Sequence, residues 1–367
     1  MKKNIILIVF TIVVILNSDS YGQIKDLQEI IDRLEPANKA SIIAENESLK
    51  RIKTLIWKQR DFIKNIQFSD FTHNLLSEEF DCNLEYRIWI TGFEEITQQE
   101  KINNRAGYNS RNMGFIFGIE KAINNKADVG IALSFIQPKF KYKNSRIGDK
   151  LDTSNTKLSI YSSYEFNKFI FDVLLSFGRG LNRNTDLRLA GPSRYEIAVG
   201  KYKSINWNIE GNIKYEYKPT NNIILVPTIG LGYSKLFNEG YEETGTKNQN
   251  LIVGKAFYNE IYGTGGIKIL ALQKINSAIK LIPCISFIAE HQFNQHLSKI
   301  KSCFTWEKLN FANQLKIKKE ETTTYNIGVN MKMYYKQMLE ISTNYIFAFK
   351  KKYYNSHQGS LSLKILL

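Results

Sequence analysis

The stretch Phe169-Ile170-Phe171-Asp172-Val173-Leu174-Leu175-Ser176-Phe177-Gly178 decides the fold. Phe169, Phe171, Val173, Leu175 and Phe177 alternate with Asp172, Leu174, Ser176 and Gly178. A period of two puts the large apolar groups on one face of an extended strand. The pattern returns where Val129, Ile131, Leu133 and Phe135 alternate with Asp128, Gly130, Ala132 and Ser134. It returns again where Leu339, Ile341, Thr343, Tyr345 and Phe347 alternate with Glu340, Ser342, Asn344 and Ile346. A soluble sandwich buries such a face in a core, whereas an outer-membrane barrel turns it toward lipid.

Working outward, the alternation predicts strands near 84–94, 107–122, 126–141, 154–166, 168–183, 203–218, 221–236, 254–272, 277–294, 320–335, 337–350 and 355–367. Many reach the roughly 9–11 residues needed to cross a bilayer at a tilt. The connections sort by parity. Strands two to three, four to five, six to seven, eight to nine and ten to eleven are joined by short pieces such as Asn124-Asn125-Lys126 and 218–221. Most of the others are long, the longest at about 295–319. Short turns on one rim and long loops on the other are the asymmetry of outer-membrane barrels. The expected fold is an all-β transmembrane barrel of about twelve antiparallel strands, preceded by a short α-helical segment. Gly263, Gly265 and Gly266 read as a bulge or bend in its wall. Pro138, Pro227 and Pro283 fall inside expected strands, where a missing backbone donor argues against a central position.

Residues 1–22 read as a signal peptide, with Lys2 and Lys3, an apolar stretch over 4–16 and small Ser20 and Gly22; cleavage is expected between Gly22 and Gln23. The region 23–81 reads as a helical segment and linker, and 82–367 as the barrel. After Pro36 a helix is expected from about 37 to 66, with Ile42, Leu49, Ile52, Ile56, Ile63 and Ile66 forming a stripe of period 3.5. At about 45 Å it would outreach the ~30 Å hydrocarbon core. The stripe either meets an apolar strip of the barrel wall, with the helix in the lumen, or pairs with another helix outside.

Composition narrows the classes. With 43% hydrophobic and 13% aromatic residues the chain has ample surface to bury, which excludes intrinsic disorder. The single long apolar run lies at the N-terminus, which argues against a helical membrane protein. Of three cysteines, Cys82 is expected at the periplasmic rim, Cys284 mid-wall facing inward and Cys303 in the longest outer loop. They lie too far apart for the ~5.5–6 Å Cα separation of a disulfide, and none is expected within the barrel. The net charge of +15 belongs to the strand-rich region. It suits contact with outer-membrane lipid and lipopolysaccharide at the lysine-rich loop 295–319, or attraction of anionic solutes to the pore, or serves only to solvate loops and block strand edges. Nucleic acid is not an expected partner of an exported barrel.

Glu85, Arg87, Asp172, Glu210, Lys280 and Glu340 fall on the inward parity. They would line a channel, grip the helix, or pair with one another as any polar lumen requires. Among the four histidines, Glu290, His291 and His296 form the one suggestive cluster, the core of a barrel-hydrolase reading, but the sequence places no nucleophile beside them. No cysteine or histidine spacing suits zinc and no glycine-rich phosphate loop follows a strand. No catalytic, cofactor or metal residue is expected.

From Trp89–Gly92 and Gly114–Gly118, through Glu210, Pro227–Tyr233 and Gly240–Gly245, to the closing run 356–367, the chain resembles the C-terminal translocator domain of autotransporters, the type V secretion family. The resemblance covers roughly 82–367 and implies a twelve-stranded barrel in the outer membrane of a Gram-negative bacterium, with a helix in or near its lumen and a passenger carried to the surface. It also implies a closing strand read by the barrel-assembly machinery. Family members usually end in an aromatic residue; here Leu361, Leu363, Ile365 and Leu367 keep the lipid-facing alternation without one. The sixty or so residues between Gln23 and Cys82 are far fewer than the passengers typical of the family. Some members cleave between two asparagines of the lumenal helix; 23–81 contains no such pair, and no such cleavage is expected. The expected role is a non-catalytic translocator or surface-exposed structural protein. The alternatives are a passive pore or adhesin-like barrel without cargo and, of another class, a hydrolase centred on His291.

Overall fold

A computed structural model describes residues 41–58, 86–102, 106–124, 126–191, 194–298, 300–305, 311–313, 322–336, 338–351 and 353–367. Twelve long strands run in chain order: β1 Tyr86–Gln99, β2 Tyr108–Asn124, β3 Ala127–Tyr142, β4 Lys150–Phe166, β5 Phe169–Gly191, β6 Arg194–Tyr215, β7 Ile223–Asn238, β8 Ala256–Ala271, β9 Ile279–Leu297, β10 Thr323–Tyr335, β11 Leu339–Lys350 and β12 Tyr354–Leu366. Each pairs antiparallel with the next, and β12 pairs with β1 from Arg87↔Leu366 to Gln99↔Tyr354. The barrel is closed, which leaves no unpaired strand edge in lipid.

Inside and outside follow the expected parity. In β5, Val173 and Phe177 are more than half exposed while Asp172, Leu174 and Ser176 are buried. The exposed faces collect aromatic side chains near the ends of the wall. At the turn end these include Tyr86, Tyr164, Phe166, Phe169, Tyr217 and Tyr335, all exposed. Phe257, Phe293 and Tyr325, on the neighbouring strands β8, β9 and β10, are exposed toward the other end. Such girdles mark the two lipid–water interfaces of a membrane barrel.

Three of the tight turns are built on asparagines. The Asn124 Oδ1 accepts the backbone N–H groups of Lys126 and Ala127, each at 2.8 Å. Asn276 does the same for Ala278 and Ile279. Asn167 takes φ +56°, a left-handed backbone that asparagine tolerates.

At the opposite end the structure departs from the expected loops. The stretch between 183 and 203 is not a loop, because β5 and β6 continue as one hairpin to Gly191↔Arg194, beyond the length a bilayer needs. The connection between β11 and β12 is also short. The longer connections fold into short strands of their own, Tyr241–Thr244, Leu251–Val253, Ile300–Phe304 and Phe311–Asn313, paired into a small sheet.

The prolines now have a physical place. The β3–β4 ladder skips from Ile136↔Asn155 to Lys139↔Asp152, around Pro138. The β6–β7 ladder ends at Lys214↔Thr228, one residue before Pro227, and the β8–β9 ladder ends at Leu270↔Cys284, one residue before Pro283. Each proline pairs fully on its other side, with Asn112, Ile267 and Met331 respectively. The missing donor therefore falls where a ladder is already interrupted. Gly263, Gly265 and Gly266, expected at a bulge, pair in unbroken register; the bulge lies opposite Ile261/Tyr262, where β9 carries an extra residue, Phe293, whose ring packs against Gly263.

Candidate functional site

The helix α1, described over 41–58, lies inside the barrel. Its side chains bond to inward-facing groups on β1, β3, β6, β7, β8, β9, β10, β11 and β12, nine of the twelve strands. Only an element surrounded by the wall can do this.

Its apolar stripe belongs to a buried cluster drawn mainly from β1–β5, with Leu236 of β7 and Ala256 and Tyr258 of β8 also in it. Ile42, Leu49, Ile52, Leu55 and Ile56 are buried together with Trp89 and Phe93 of β1, Ile116 of β2, Ala132 and Ile136 of β3, Tyr161 of β4 and Leu174 of β5. The wall thus supplies the apolar strip that a stripe of isoleucines needs, at about 1.5–3 kcal/mol per fully buried aliphatic side chain. Ile63 and Ile66, the last members of the expected stripe, lie outside the described residues, as do both ends of the expected 37–66 helix.

The polar side of α1 is held by charge. The Lys53 ammonium lies 2.8 Å from Glu210 and 2.9 Å from Glu290, and sits over the Tyr262 ring 3.7 Å from its centroid. Lys50 pairs with Glu260 and, at 3.2 Å, with Glu290. The Arg51 guanidinium donates to Asn326 at 2.8 Å and to the Tyr354 hydroxyl at 2.7 Å, and pairs with Glu95 at 3.3 Å. Trp57 Nε1 donates to Glu210 at 2.7 Å, so one wall carboxylate holds two helix residues one turn apart. Lys350 of β11 reaches Glu47 at 2.8 Å. Buried ions of this kind are tolerated because each is paired and hydrogen-bonded.

The inward charges read from the sequence fall into separate groups. Glu210 belongs to the helix clamp. Arg87 joins Glu120 at 3.5 Å and Asp128 at 3.2 Å, and Lys364 reaches Glu120 at 3.3 Å, which ties the closing strand β12 to β1, β2 and β3. Asp172 pairs with Lys214 at 2.8 Å and Glu340 with Lys332 at 3.3 Å, strand to neighbouring strand. Lys280 is half-buried near the turn end of β9. Glu85, Gly22 and Gln23 lie outside the described residues, as does Cys82. Leu361, Leu363, Ile365 and Leu367 are all exposed on the outer face of the closing strand. Neither Cys284 nor Cys303 forms a disulfide among the described residues.

Sequence reasoning missed Glu260 and Glu95 as helix partners. Both lie on the inward parity, but nothing in the pattern says which inward carboxylates face α1. It also missed a cluster at the long-loop end. There the buried Arg146 bonds Asp149 at 2.9 Å and Asp186 at 2.8 Å, and Arg188 bonds Glu243 at 3.0 Å. Burial pushes the Glu243 carboxyl up to about 7 despite that guanidinium, and the neighbouring Asp186 charge adds to the shift.

The suggestive histidine cluster is not assembled. Glu290 turns into the lumen toward Lys50 and Lys53, while His291, one residue on, turns outward. His291 Nδ1 lies 2.8 Å from the Thr323 hydroxyl, and its ring packs against Phe293. His296 stacks on Phe257. Adjacent residues of a strand face opposite sides of the wall, so Glu290 cannot orient His291.

A family model described as "Autotransporter beta-domain" matches residues 88–346. The chain is 26% identical over 287 residues to "Outer membrane protein B" of Rickettsia typhi, which covers 77% of this chain and 17% of that protein. It is 26% identical over 295 residues to "Outer membrane protein A" of Rickettsia rickettsii, covering 79% of this chain and 13% of that protein. The chain thus spans less than a fifth of the length of these relatives. Among solved structures, the translocator domain of autotransporter NalP from Neisseria meningitidis is similar with a TM-score of 0.65 at 14% identity, over 91% of this chain and 99% of that one. The beta domain of the Bordetella autotransporter Brka is similar with a TM-score of 0.55 at 10% identity, over 77% of this chain and 100% of that one. With its closed twelve-stranded wall, this chain belongs to the autotransporter beta-domain family and is an outer-membrane β-barrel of the Gram-negative cell envelope.

Proposed function

We propose that the barrel is a non-catalytic translocator whose helix stays behind in the lumen as a plug. The observation that carries this reading is the course of α1 through the barrel. Ser41 bonds Tyr142 at the long-loop end, whereas Trp57 reaches Glu210, well toward the turn end. If the turn end faces the periplasm, as in outer-membrane barrels generally, a chain segment preceding the helix emerges on the outside. The dense clamp on Lys50, Arg51 and Lys53 favours a helix that stops once docked. Lipid and lipopolysaccharide are the proposed partners of the outer wall. The barrel-assembly machinery is the proposed reader of the closing strand at Leu361, Leu363, Ile365 and Leu367.

An epitope inserted between residues 23 and 36 tests the direction. It is expected to be stained on intact cells; staining only after the outer membrane is permeabilised refutes translocation. Deleting residues 23–80 is expected to raise single-channel conductance, and an unchanged conductance refutes the plug. Loss of an esterase activity on His291→Ala would refute the non-catalytic reading.

A further inference from the structure

The outer wall changes character toward the long-loop end. On β5 the outward residues Phe169, Phe171, Val173, Leu175 and Phe177 are apolar and exposed, and Arg179 is the first cation after them. Arg179 lies ten residues along the strand from Phe169, at the turn end. At about 3.3 Å per residue and a tilt of about 40°, that is roughly 25 Å of height, the full apolar band of a membrane barrel. Arg179 therefore stands where hydrocarbon gives way to headgroups.

It belongs to a group. On the same face Leu181 is 57% exposed, and Arg183 follows it. On β6, Lys201 stands opposite Arg183 and Lys203 opposite Leu181. All four cations are exposed, gathered around one leucine, and among the described residues none of them is ion-paired. Like charges directly opposite on a sheet repel, so the arrangement is unfavourable until an anion lies across it. The charge continues sideways. Asp152 of β4 lies between Arg183 and Lys139 of β3, and Lys141 stands directly opposite Lys150. At this end the outer face of β3–β6 thus carries seven cations against one described carboxylate, with Glu239 and Glu242 at its margin. Cations that only kept a rim soluble would be interspersed with acids. These sit on paired strands beside a lipid-facing band.

We propose that the outer face of β5 and β6 around Leu181 binds the phosphorylated headgroup of a lipopolysaccharide molecule, its acyl chains lying along Phe177, Ile205 and Trp207. The guanidinium groups suit bidentate contact with phosphate, and the lysines add point charges. Four cations need more negative charge than a zwitterionic phospholipid supplies, which selects a lipid with several phosphates. The inference rests on lipopolysaccharide as a partner of the outer wall and gives it a site away from the loop 295–319.

The full chain, folded in detergent, is titrated with diphosphoryl lipid A, phosphatidylcholine and inorganic phosphate, and binding is read by native mass spectrometry. Lipid A is expected to bind at least tenfold more tightly than phosphatidylcholine, since each cation beside an anionic lipid surface contributes about fivefold. Arg179→Gln, Arg183→Gln, Lys201→Gln and Lys203→Gln together are expected to abolish that preference. Lys308→Gln, Lys316→Gln, Lys318→Gln and Lys319→Gln together are expected to keep it. Arg183→Gln alone is expected to weaken lipid A binding about fivefold, and it carries the test if the fourfold wall variant does not fold. Loss of the preference in the loop variant alone overturns the site and leaves lipopolysaccharide as a partner. An equal loss in both variants assigns the preference to net charge and also overturns the site. Equal binding of lipid A and phosphatidylcholine overturns the site and the partner together. Displacement of lipid A by an equal concentration of inorganic phosphate overturns the lipid as the occupant.

Discussion

Lys53 of the lumenal helix and Glu210 of β6 stand 2.8 Å apart, both buried, and the same carboxylate takes the Trp57 indole N–H at 2.7 Å. Removing the partners of a buried charge strands it, which costs about 3–5 kcal/mol. Lys53 also keeps Glu290 at 2.9 Å, so Glu210→Ala together with Glu290→Ala is expected to release α1 without opening the wall. Limited proteolysis of the folded barrel checks this: the helix becomes cleavable while the strands stay resistant. Continued protection of the helix would mean that its isoleucine stripe alone holds it.

Gly118 is the second test. A Cβ there would land on the Trp89 ring, which lies flat across the neighbouring strand and donates to the Tyr161 hydroxyl at 3.1 Å. Tyr161 in turn donates to Glu120 at 3.0 Å, within the network that ties β12 to β1–β3. Gly118→Ala is expected to cost about 1–3 kcal/mol through overpacking. Urea unfolding followed by tyrosine and tryptophan fluorescence measures it, and a wild-type midpoint would show that the ring is free to move aside.

The lipid face gives a paired comparison. Val173 lies four residues in from the Phe169 end of β5, inside the aromatic girdle of the turn end, and is 52% exposed, whereas Ile147 is 69% exposed in the β3–β4 connection. Arginine at a bilayer midplane costs about 2–4 kcal/mol in a membrane barrel. A surface change away from lipid stays within about 0.5 kcal/mol. Val173→Arg should lower stability in lipid vesicles while Ile147→Arg should not. Equal effects would mean that β5 does not face the hydrocarbon.

A pH dependence belongs to the long-loop end. The Glu243 carboxyl is raised from 4.5 to about 7, mainly by burial. A group whose folded pKa lies above its unfolded value contributes most below the unfolded value and loses that contribution as pH rises through the folded one. The small sheet over the mouth should therefore loosen between about pH 4.5 and 7. Leu251 donates its N–H to Glu243 at 3.1 Å, so its amide reports the change. After correction for intrinsic rates, its hydrogen exchange is expected to be faster at pH 8 than at pH 5. The reverse order would place the controlling charge elsewhere.

Much of this molecule is legible along the chain. Alternation in Phe169–Phe177 fixes which residues face lipid, because a strand turns each neighbour to the opposite side and nothing in the tertiary structure alters that period. The adjacent asparagines at 124 and 125 mark a tight turn for the same local reason. The extension of β5 and β6 to Gly191 and Arg194 was less visible, since outside the bilayer neither face of a hairpin must be apolar and the alternation fades.

Period alone identifies a side and not what that side meets. The isoleucines of α1 lie on one stripe by helical geometry, yet their partners Trp89, Ile116, Ile136 and Leu174 come from four strands far along the chain, aligned by the ladders from β1 to β5 and curved around the helix by closure of the wall. The same closure selects Glu95, Glu210, Glu260 and Glu290 from the inward carboxylates to hold Arg51, Lys50 and Lys53. It also separates Glu290 from His291, adjacent in sequence but on opposite faces of the wall. The sequence by itself determined that there is a barrel with a wet interior and a helix before it. Which part of the wall the helix stripe meets was decided only by tertiary structure, because those contacts depend on the curvature and registry of a closed wall.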